Sequence, residues 1–266
     1  MQTDPVYVLR LFELQAMASD LLGIRFHHGS RNYQTHIGAR FIWIDRLNLE
    51  GDTRGRDAEI VKLYFLFKHL QELSQNHPEA YARVRKTIRK APNEAQYFGA
   101  RMEVYVAASL VRAGVAFQCR ESPDYEILGN RKKVFIECGS AHIAGKSTDT
   151  IKKISLAVSA KCKKKYANRS TALFLDATNP MLKGLDNDIP DPTSVLRNSI
   201  QEVIKVGGYG SVLLLFYGFN EPVNKISANY IRIDSPEIDS ELRACMDKTY
   251  PVGRPSDPIV YFPDQG

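Results

Sequence analysis

The sequence predicts a mixed α/β (α+β) fold, in which a mainly helical N-terminal region precedes a sheet with helices on its faces. After residue 92, segments with helical periodicity alternate with short apolar segments typical of strands. The first 91 residues show mostly helical spacing of apolar residues. A content of 44% hydrophobic and 25% charged residues over 266 positions is that of a globular protein with a sizeable core.

The N-terminal region, residues 1–91, is expected to be mainly helical. Apolar periodicity predicts helices over 5–22, 57–75 and 78–90. The stretch 24–52 lacks this order and is expected to be irregular, with a short strand at "ARFIWI". We assign this region as a domain of its own and as the candidate surface for a partner subunit or for a homodimer.

The second domain is assigned to residues 92–220, and a C-terminal extension packed on it to residues 221–266. Asn93 can cap a helix that Gly114 ends. The turn "GNRK" predicts a hairpin between the strands on either side of it. The elements expected after the first helix are strands 115–120, 124–128 and 132–138, helix 149–166, strand 171–177, helix 193–206, strand 211–217, and further strands at "YIRI" and "IVYF".

Three acids stand out by their positions in this scheme. Glu103 lies mid-helix beside small and apolar residues, Asp124 begins a strand, and Glu137 lies near the end of the next strand. A tight hairpin can bring Asp124 and Glu137 side by side on one face. Carboxylates held that close repel one another, so such a cluster usually persists because a divalent metal neutralises it. Each acid also has an ordinary interpretation, as a helix-surface acid, a turn former or a capped strand-end acid.

This combination resembles the PD-(D/E)xK, or restriction-endonuclease-like, nuclease superfamily. The pattern consists of an inward helix glutamate, the dipeptide "PD" at a strand start, and an acid near the end of the next apolar strand. The αβββαβ order over 93–177 is similar to the superfamily's core. The resemblance does not extend to the N-terminal region.

The resemblance implies a metal-dependent endonuclease that hydrolyses phosphodiester bonds, with DNA as the first expectation and restriction or anti-phage defence as the setting. Asp124 and Glu137 would ligate Mg²⁺ or Mn²⁺. Glu103 would be a further ligand, directly or through water, and the main-chain carbonyl of Cys138 an additional one. The metal would lower the pKa of the attacking water and stabilise charge on the reacting phosphate.

The sequence departs from the family at Gly139, where a lysine is expected to orient or deprotonate the attacking water. Some branches of the superfamily place the equivalent side chain on the following helix, where Lys153 and Lys161 both fit the apolar stripe. We favour Lys153 slightly as the catalytic lysine. Without such a lysine, the chain would be an inactive nuclease-like module that binds nucleic acid, and a protein-interaction subunit is a third alternative.

A basic excess covers the segment that contains Glu137. Residues 93–180 carry 14 Lys and Arg against 8 Asp and Glu, compared with 36 against 30 in the whole chain. Nucleic acid is therefore the expected partner, although a solvated basic face would have the same composition. The candidate contacts are Lys163, Lys164, Lys165, Arg131 and Lys132.

The remaining features concern location and redox state. No apolar run reaches membrane-spanning length, and the N-terminus lacks the basic-then-apolar order of a signal peptide. The four cysteines are widely spaced and include no CxxC pair, which argues against a disulfide framework or a zinc site. A cytoplasmic location is the resulting expectation.

Overall fold

The computed structural model divides the chain into two compact units, Met1–Ala108 and Ser109–Gly266. The boundary falls inside a helix, whereas the sequence-based domain boundary was placed before it, at 91/92. The residues that the structure describes are 5–27, 31–91, 93–141, 149–182, 191–220, 225–252 and 258–261.

The first unit is built from helices. Its helices begin at well-formed caps: the Thr35 hydroxyl accepts the amide of Gly38 at 3.1 Å, and the Asp52 carboxylate accepts that of Gly55 at 2.8 Å. Its elements are α1 (Pro5–Leu22), a 3-10 turn (Arg31–Gln34), α2 (His36–Leu49), α3 (Thr53–Asn76), α4 (Pro78–Lys90) and most of α5 (Glu94–Arg112). The mainly helical character predicted for this part of the chain is therefore present.

The strand predicted at "ARFIWI" is wrong, because these residues lie within α2. Ile37, Phe41 and Ile44 recur at helical spacing and are buried. Ile42 and Trp43 stand on the other side, exposed by 51% and 38%. These two exposed apolar side chains interrupt the amphipathic pattern and make the run resemble a short buried strand.

The second unit contains one seven-stranded mixed sheet, in which the strands lie side by side in chain order. The two ends of the sheet are antiparallel, and its centre, from the third to the fifth strand, is parallel. The strands are β1 (Phe117–Cys119), β2 (Tyr125–Ile127), β3 (Val134–Ser140), β4 (Thr171–Asp176), β5 (Ser211–Asn220), β6 (Lys225–Asp234) and β7 (Pro258–Tyr261). The predicted mixed α/β class is confirmed, together with the predicted hairpin and the two C-terminal strands.

Among the described residues, four helices accompany the sheet: α6 (Thr150–Cys162), α7 (Thr178–Leu182), α8 (Pro192–Lys205) and α9 (Ser240–Thr249). Asp149 caps α6 by accepting the amide of Lys152 at 2.9 Å. The first residue after α9, Tyr250, packs edge-on against Phe174 of β4, with ring centroids 5.2 Å apart. Since side chains alternate along a strand, Phe174 faces away from Leu173 and Leu175.

The main core of this unit lies between one face of the sheet and the helices α6 and α8. Every residue of β4 is buried, which explains why its sequence reads as a continuous apolar run. Each fully buried aliphatic side chain of this kind contributes roughly 1.5–3 kcal/mol relative to an exposed one. The cluster includes Ile154, Val158, Leu173, Leu175, Leu196, Ile200, Val212 and Leu214.

Within the described part of the chain, none of the helices combines the length and the hydropathy that a membrane span needs.

Candidate metal and lysine site

The hairpin of β2 and β3 places the two predicted acids opposite each other. Tyr125 pairs with Ile136 in the antiparallel register, so the next pair along the two chains is Asp124 with Glu137. Alternation puts both carboxylates on the same face of the sheet as Phe135 and Gly139. The register of the hairpin therefore supports the expectation that Asp124 and Glu137 lie on one face.

Asp124 is fixed against the third strand by a main-chain hydrogen bond. Its Oδ2 accepts the amide of Cys138 at 2.7 Å, while its carbonyl accepts the amide of Arg120 at 2.8 Å. The first bond ties the carboxylate to the residue that directly follows Glu137. Such a bond holds the carboxylate in one orientation.

Lys161, in the last turn of α6, reaches the same place from the helix layer. Its Nζ donates to Glu137 Oε1 at 2.7 Å and to the main-chain oxygen of Cys138 at 3.3 Å. The Lys161 side chain is 29% exposed, whereas that of Glu137 is 8% exposed. Lys161 lies three residues beyond buried Val158 and seven beyond buried Ile154, as the apolar stripe of α6 requires.

The preference for Lys153 over Lys161 is not supported by the structure. Lys153 is exposed in the first turn of α6, and Lys161 is the lysine that contacts Glu137. A helix that connects two parallel strands runs back along them, and its side chains tilt towards its own N-terminus. A lysine in the last turn therefore points back over the middle of β3, whereas one in the first turn points beyond the end of the strand.

Two tyrosines that sequence analysis missed adjoin this pair. Burial raises the pKa of Tyr166 to about 12; a hydrogen bond with Ser122 opposes the shift, and a hydrogen bond with Glu137 adds to it. Burial, followed by the charge of Glu137, also raises the pKa of Tyr209. The Tyr209 hydroxyl donates to the carbonyl of Lys161 at 3.4 Å. The only sequence signal for Tyr166 is its place directly after the run Lys163–Lys165.

Glu103 belongs to the first unit, whereas Asp124 and Glu137 belong to the second. Its carboxylate lies 3.9 Å from the Nε of Arg83, a residue of α4. The two residues lie on different helices, so this ion pair joins α5 to α4. The role of Glu103 as a third ligand stays a prediction.

The candidate nucleic-acid contacts fall into two groups. Lys163, Lys164 and Lys165 are exposed just beyond the end of α6, and Arg131 is exposed in the loop between β2 and β3. Lys132 differs from them, because its Nζ lies 3.1 Å from Asp239 Oδ2 and its amide donates to Glu241 Oε2 at 3.0 Å. Lys132 therefore also ties the β2–β3 loop to the start of α9.

The donor set at this site fits a hard divalent cation. Asp124 and Glu137 offer carboxylate oxygens, and Cys138 offers its main-chain oxygen, which are ligand types that Mg²⁺ and Mn²⁺ prefer. No group of three or more His, Cys, Asp or Glu side chains able to hold a metal occurs among the described residues. Mg²⁺ commonly retains several waters when it is bound by one or two carboxylates, so a set of two carboxylates is of the kind that Mg²⁺ uses.

No family model, no curated protein and no solved structure matches this chain. Its class is therefore argued from the geometry of Asp124, Glu137, Cys138 and Lys161.

Proposed function

We propose that this protein is a metal-dependent endonuclease that hydrolyses phosphodiester bonds in DNA, with its catalytic lysine supplied by α6. The observation that carries the proposal is the contact of 2.7 Å between Lys161 Nζ and Glu137 Oε1, directly beside Asp124. A lysine ammonium next to two carboxylates on a strand hairpin is the constellation that a PD-(D/E)xK nuclease uses. Here the lysine comes from residue 161 and not from residue 139.

The order of elements supports the same class. The helix α5 precedes three antiparallel strands, and α6 then crosses to β4, which lies parallel to β3. This αβββαβ order is similar to that of the restriction-endonuclease-like core and so supports the proposal. The strands β5, β6 and β7 extend the sheet beyond that core.

The residues divide the chemical work between them. Asp124, Glu137 and the Cys138 carbonyl would hold Mg²⁺ or Mn²⁺, which would supply Lewis acidity and lower the pKa of water. Lys161 carries a positive charge into the site and donates hydrogen bonds there. We assign it the orientation of the attacking water and the balancing of negative charge on the reacting phosphate.

The basic residues near the site favour a polyanionic substrate. Lys163–Lys165 are exposed and follow directly after the helix turn that carries Lys161. Lysines so placed would contact phosphates and fix the position of the backbone without specifying a base sequence. The setting in restriction or anti-phage defence, in the cytoplasm, remains an analogy with the use of similar folds.

The test is a cleavage assay with the purified full-length chain. Supercoiled DNA, linear DNA, single strands and RNA would each be incubated with EDTA, Mg²⁺ or Mn²⁺. We expect metal-dependent cutting of DNA that the double variant Asp124→Ala/Glu137→Ala removes. The matched control is Glu202→Ala on α8, where the acid is largely exposed, and this variant should cut as the wild type does.

A second candidate function is supported by the same ammonium. Lys161 bonds both Glu137 Oε1 and the Cys138 oxygen, which are two of the three oxygens that a metal would use. If the ammonium permanently takes the place of the metal, the chain binds nucleic acid without cutting it. Salt-sensitive DNA binding without cleavage under any metal condition would establish this alternative. Weak DNA binding that is unaffected by substitutions at Lys163–Lys165 would instead indicate a protein-interaction subunit.

A further inference from the structure

We infer that Gly139 is a positioning residue, and that its lack of a side chain lets the Lys161 ammonium reach Glu137. The inference rests on the proposed function, in which Lys161 is the catalytic lysine. It gives a physical reason for the family lysine to be absent from position 139. The two positions are alternatives because they compete for one volume.

The space around Gly139 is already filled by Lys161. A Cβ added at residue 139 would lie 3.2 Å from Lys161 Cε, 3.4 Å from Lys161 Nζ and 3.2 Å from Leu175 Cδ2. Optimal contacts between carbon atoms fall at about 3.5–4.0 Å, so both neighbours would be too close. Even the smallest side chain at residue 139 therefore requires Lys161 Cε or Leu175 Cδ2 to shift by a few tenths of an ångström.

Of the two neighbours, Lys161 is the one that can give way. Leu175 is 1% exposed and belongs to the core cluster under α6 and α8, where close packing resists displacement. The Lys161 side chain is flexible and partly exposed. A side chain at residue 139 would therefore push the ammonium away from Glu137.

The backbone does not demand glycine at this position. Gly139 lies within β3 and is not among the glycines with a positive φ. It pairs in parallel register with Leu175 as an ordinary strand residue. The requirement for glycine is therefore one of volume, and it should disappear once Lys161 is shortened.

The arrangement of the two positions predicts that they can be exchanged. A side chain at residue 139 projects from the same face as Glu137, two residues further along β3. A lysine there would enter the volume that the end of Lys161 now occupies. The single variant Gly139→Lys should therefore cleave DNA poorly. Combined with Lys161→Ala, the same substitution should restore cleavage.

The first experiment is a double-mutant cycle in thermal stability, measured without metal. Gly139→Ala should lower the Tm by about 5 °C when Lys161 is present, and by less than half of that in a Lys161→Ala background. The matched control is Gly99→Ala, because a Cβ at Gly99 meets nothing within 4 Å. Its Tm shift should be the same in both backgrounds. Equal shifts for Gly139→Ala in the two backgrounds would overturn the inference.

The second experiment measures cleavage by the same proteins and by Gly139→Lys/Lys161→Ala. We expect Gly139→Ala to cut about tenfold more slowly or worse, and the exchanged pair to recover at least about tenfold over Lys161→Ala. No recovery by a folded, metal-binding double variant would contradict the exchange. If the wild type itself does not cut, the proposed function fails, while the stability cycle still decides whether Gly139 positions Lys161.

Discussion

Two ion pairs in the second unit, one around Arg232 and one around Lys161, differ in how fully their charges are satisfied. Arg232 makes two bonds to Asp234, at 2.9 and 2.7 Å, one to Asp247 at 2.7 Å and one to the Tyr250 carbonyl at 3.1 Å. Its side chain is 2% exposed. Lys161 uses two of its three N–H groups, and its side chain is 29% exposed.

The difference separates a nearly fully buried ion pair from a partly exposed one, to which we assign the chemistry in the proposed function. Burial by itself would lower the pKa of Arg232, but hydrogen bonds and charges from Asp234 and Asp247 raise it above its ordinary value. That network is shielded from solvent, because four of the five guanidinium N–H groups bond to β6, α9 and the residue after α9, and the side chain is almost fully buried. The pair of Lys161 with Glu137 remains open on one side, so a ligand can share its charges.

The largest expected effect is on cleavage at the open pair. Lys161→Ala should slow cutting roughly 10²–10⁴-fold, the range typical of a group that transfers or orients a proton. Single-turnover rates on DNA at saturating Mg²⁺ would measure the loss. Lys153→Ala is the matched control, since Lys153 is an exposed lysine of the same helix. If Lys153→Ala cleaves slowly while Lys161→Ala cleaves at the wild-type rate, the catalytic lysine is Lys153.

The next effect concerns stability at the shielded network. Arg232→Met should lower the free energy of unfolding by about 3–5 kcal/mol, because it leaves the Asp234 carboxylate in a mostly buried place without its cation. Urea denaturation would measure it. Asp247→Ala should lower the free energy of unfolding far less, since the Asp247 side chain is 57% exposed. The cleavage rate per folded Arg232→Met molecule should match that of the wild type. A folded variant that cleaves slowly would contradict the distinction between the two ion pairs.

A smaller effect is expected on metal affinity, and its sign is informative. The Lys161 ammonium competes with a cation for Glu137 Oε1 and the Cys138 oxygen. Lys161→Ala should therefore bind Mn²⁺ about thirtyfold more tightly, as expected from removing one unit charge about 4 Å from a divalent cation in water. Calorimetric titration without DNA would measure it. Weaker binding by the variant would mean that the lysine helps to organise the ligands.

The smallest expected effect is the response of stability to alkaline pH. The raised pKa of Tyr166, about 12 in the folded state, means that its protonated form is favoured on folding. That contribution is complete below the unfolded pKa of about 10 and is lost as the pH rises through 12. The Tm of the metal-free protein should therefore fall less steeply with pH above pH 10 in Tyr166→Phe than in the wild type. Parallel curves would refute the assignment.

The sequence was most informative where local rules decide the structure. Apolar runs and turn residues located the strands from 117 to 217, and the hairpin by itself implied that Asp124 faces Glu137. The apolar stripe of α6 narrowed the lysine to two candidates. Choosing between them required the direction in which α6 crosses the sheet, which is a tertiary property.

Other features left little or no local signal. The partner of Glu103 is Arg83, which lies on a different helix. Tyr166 reaches Glu137 from the connection after α6, and tyrosines after a lysine run are common in solvated loops. In α2, the exposed apolar side chains of Ile42 and Trp43 obscure the helical spacing of the buried residues. The first two omissions reflect contacts between separate segments of the chain, whereas the error in α2 reflects apolar side chains that stay exposed.

The contact between Lys161 and Glu137 has a consequence for how the protein depends on its supply of metal. A buried carboxylate without a counterion would oppose folding, so proteins that rely on a metal for that charge unfold when a chelator removes it. This chain carries its own counterion in α6. Under the proposed function, chelation should therefore stop cleavage without unfolding the protein, and a cell poor in divalent ions would hold folded protein that regains activity when the ion returns.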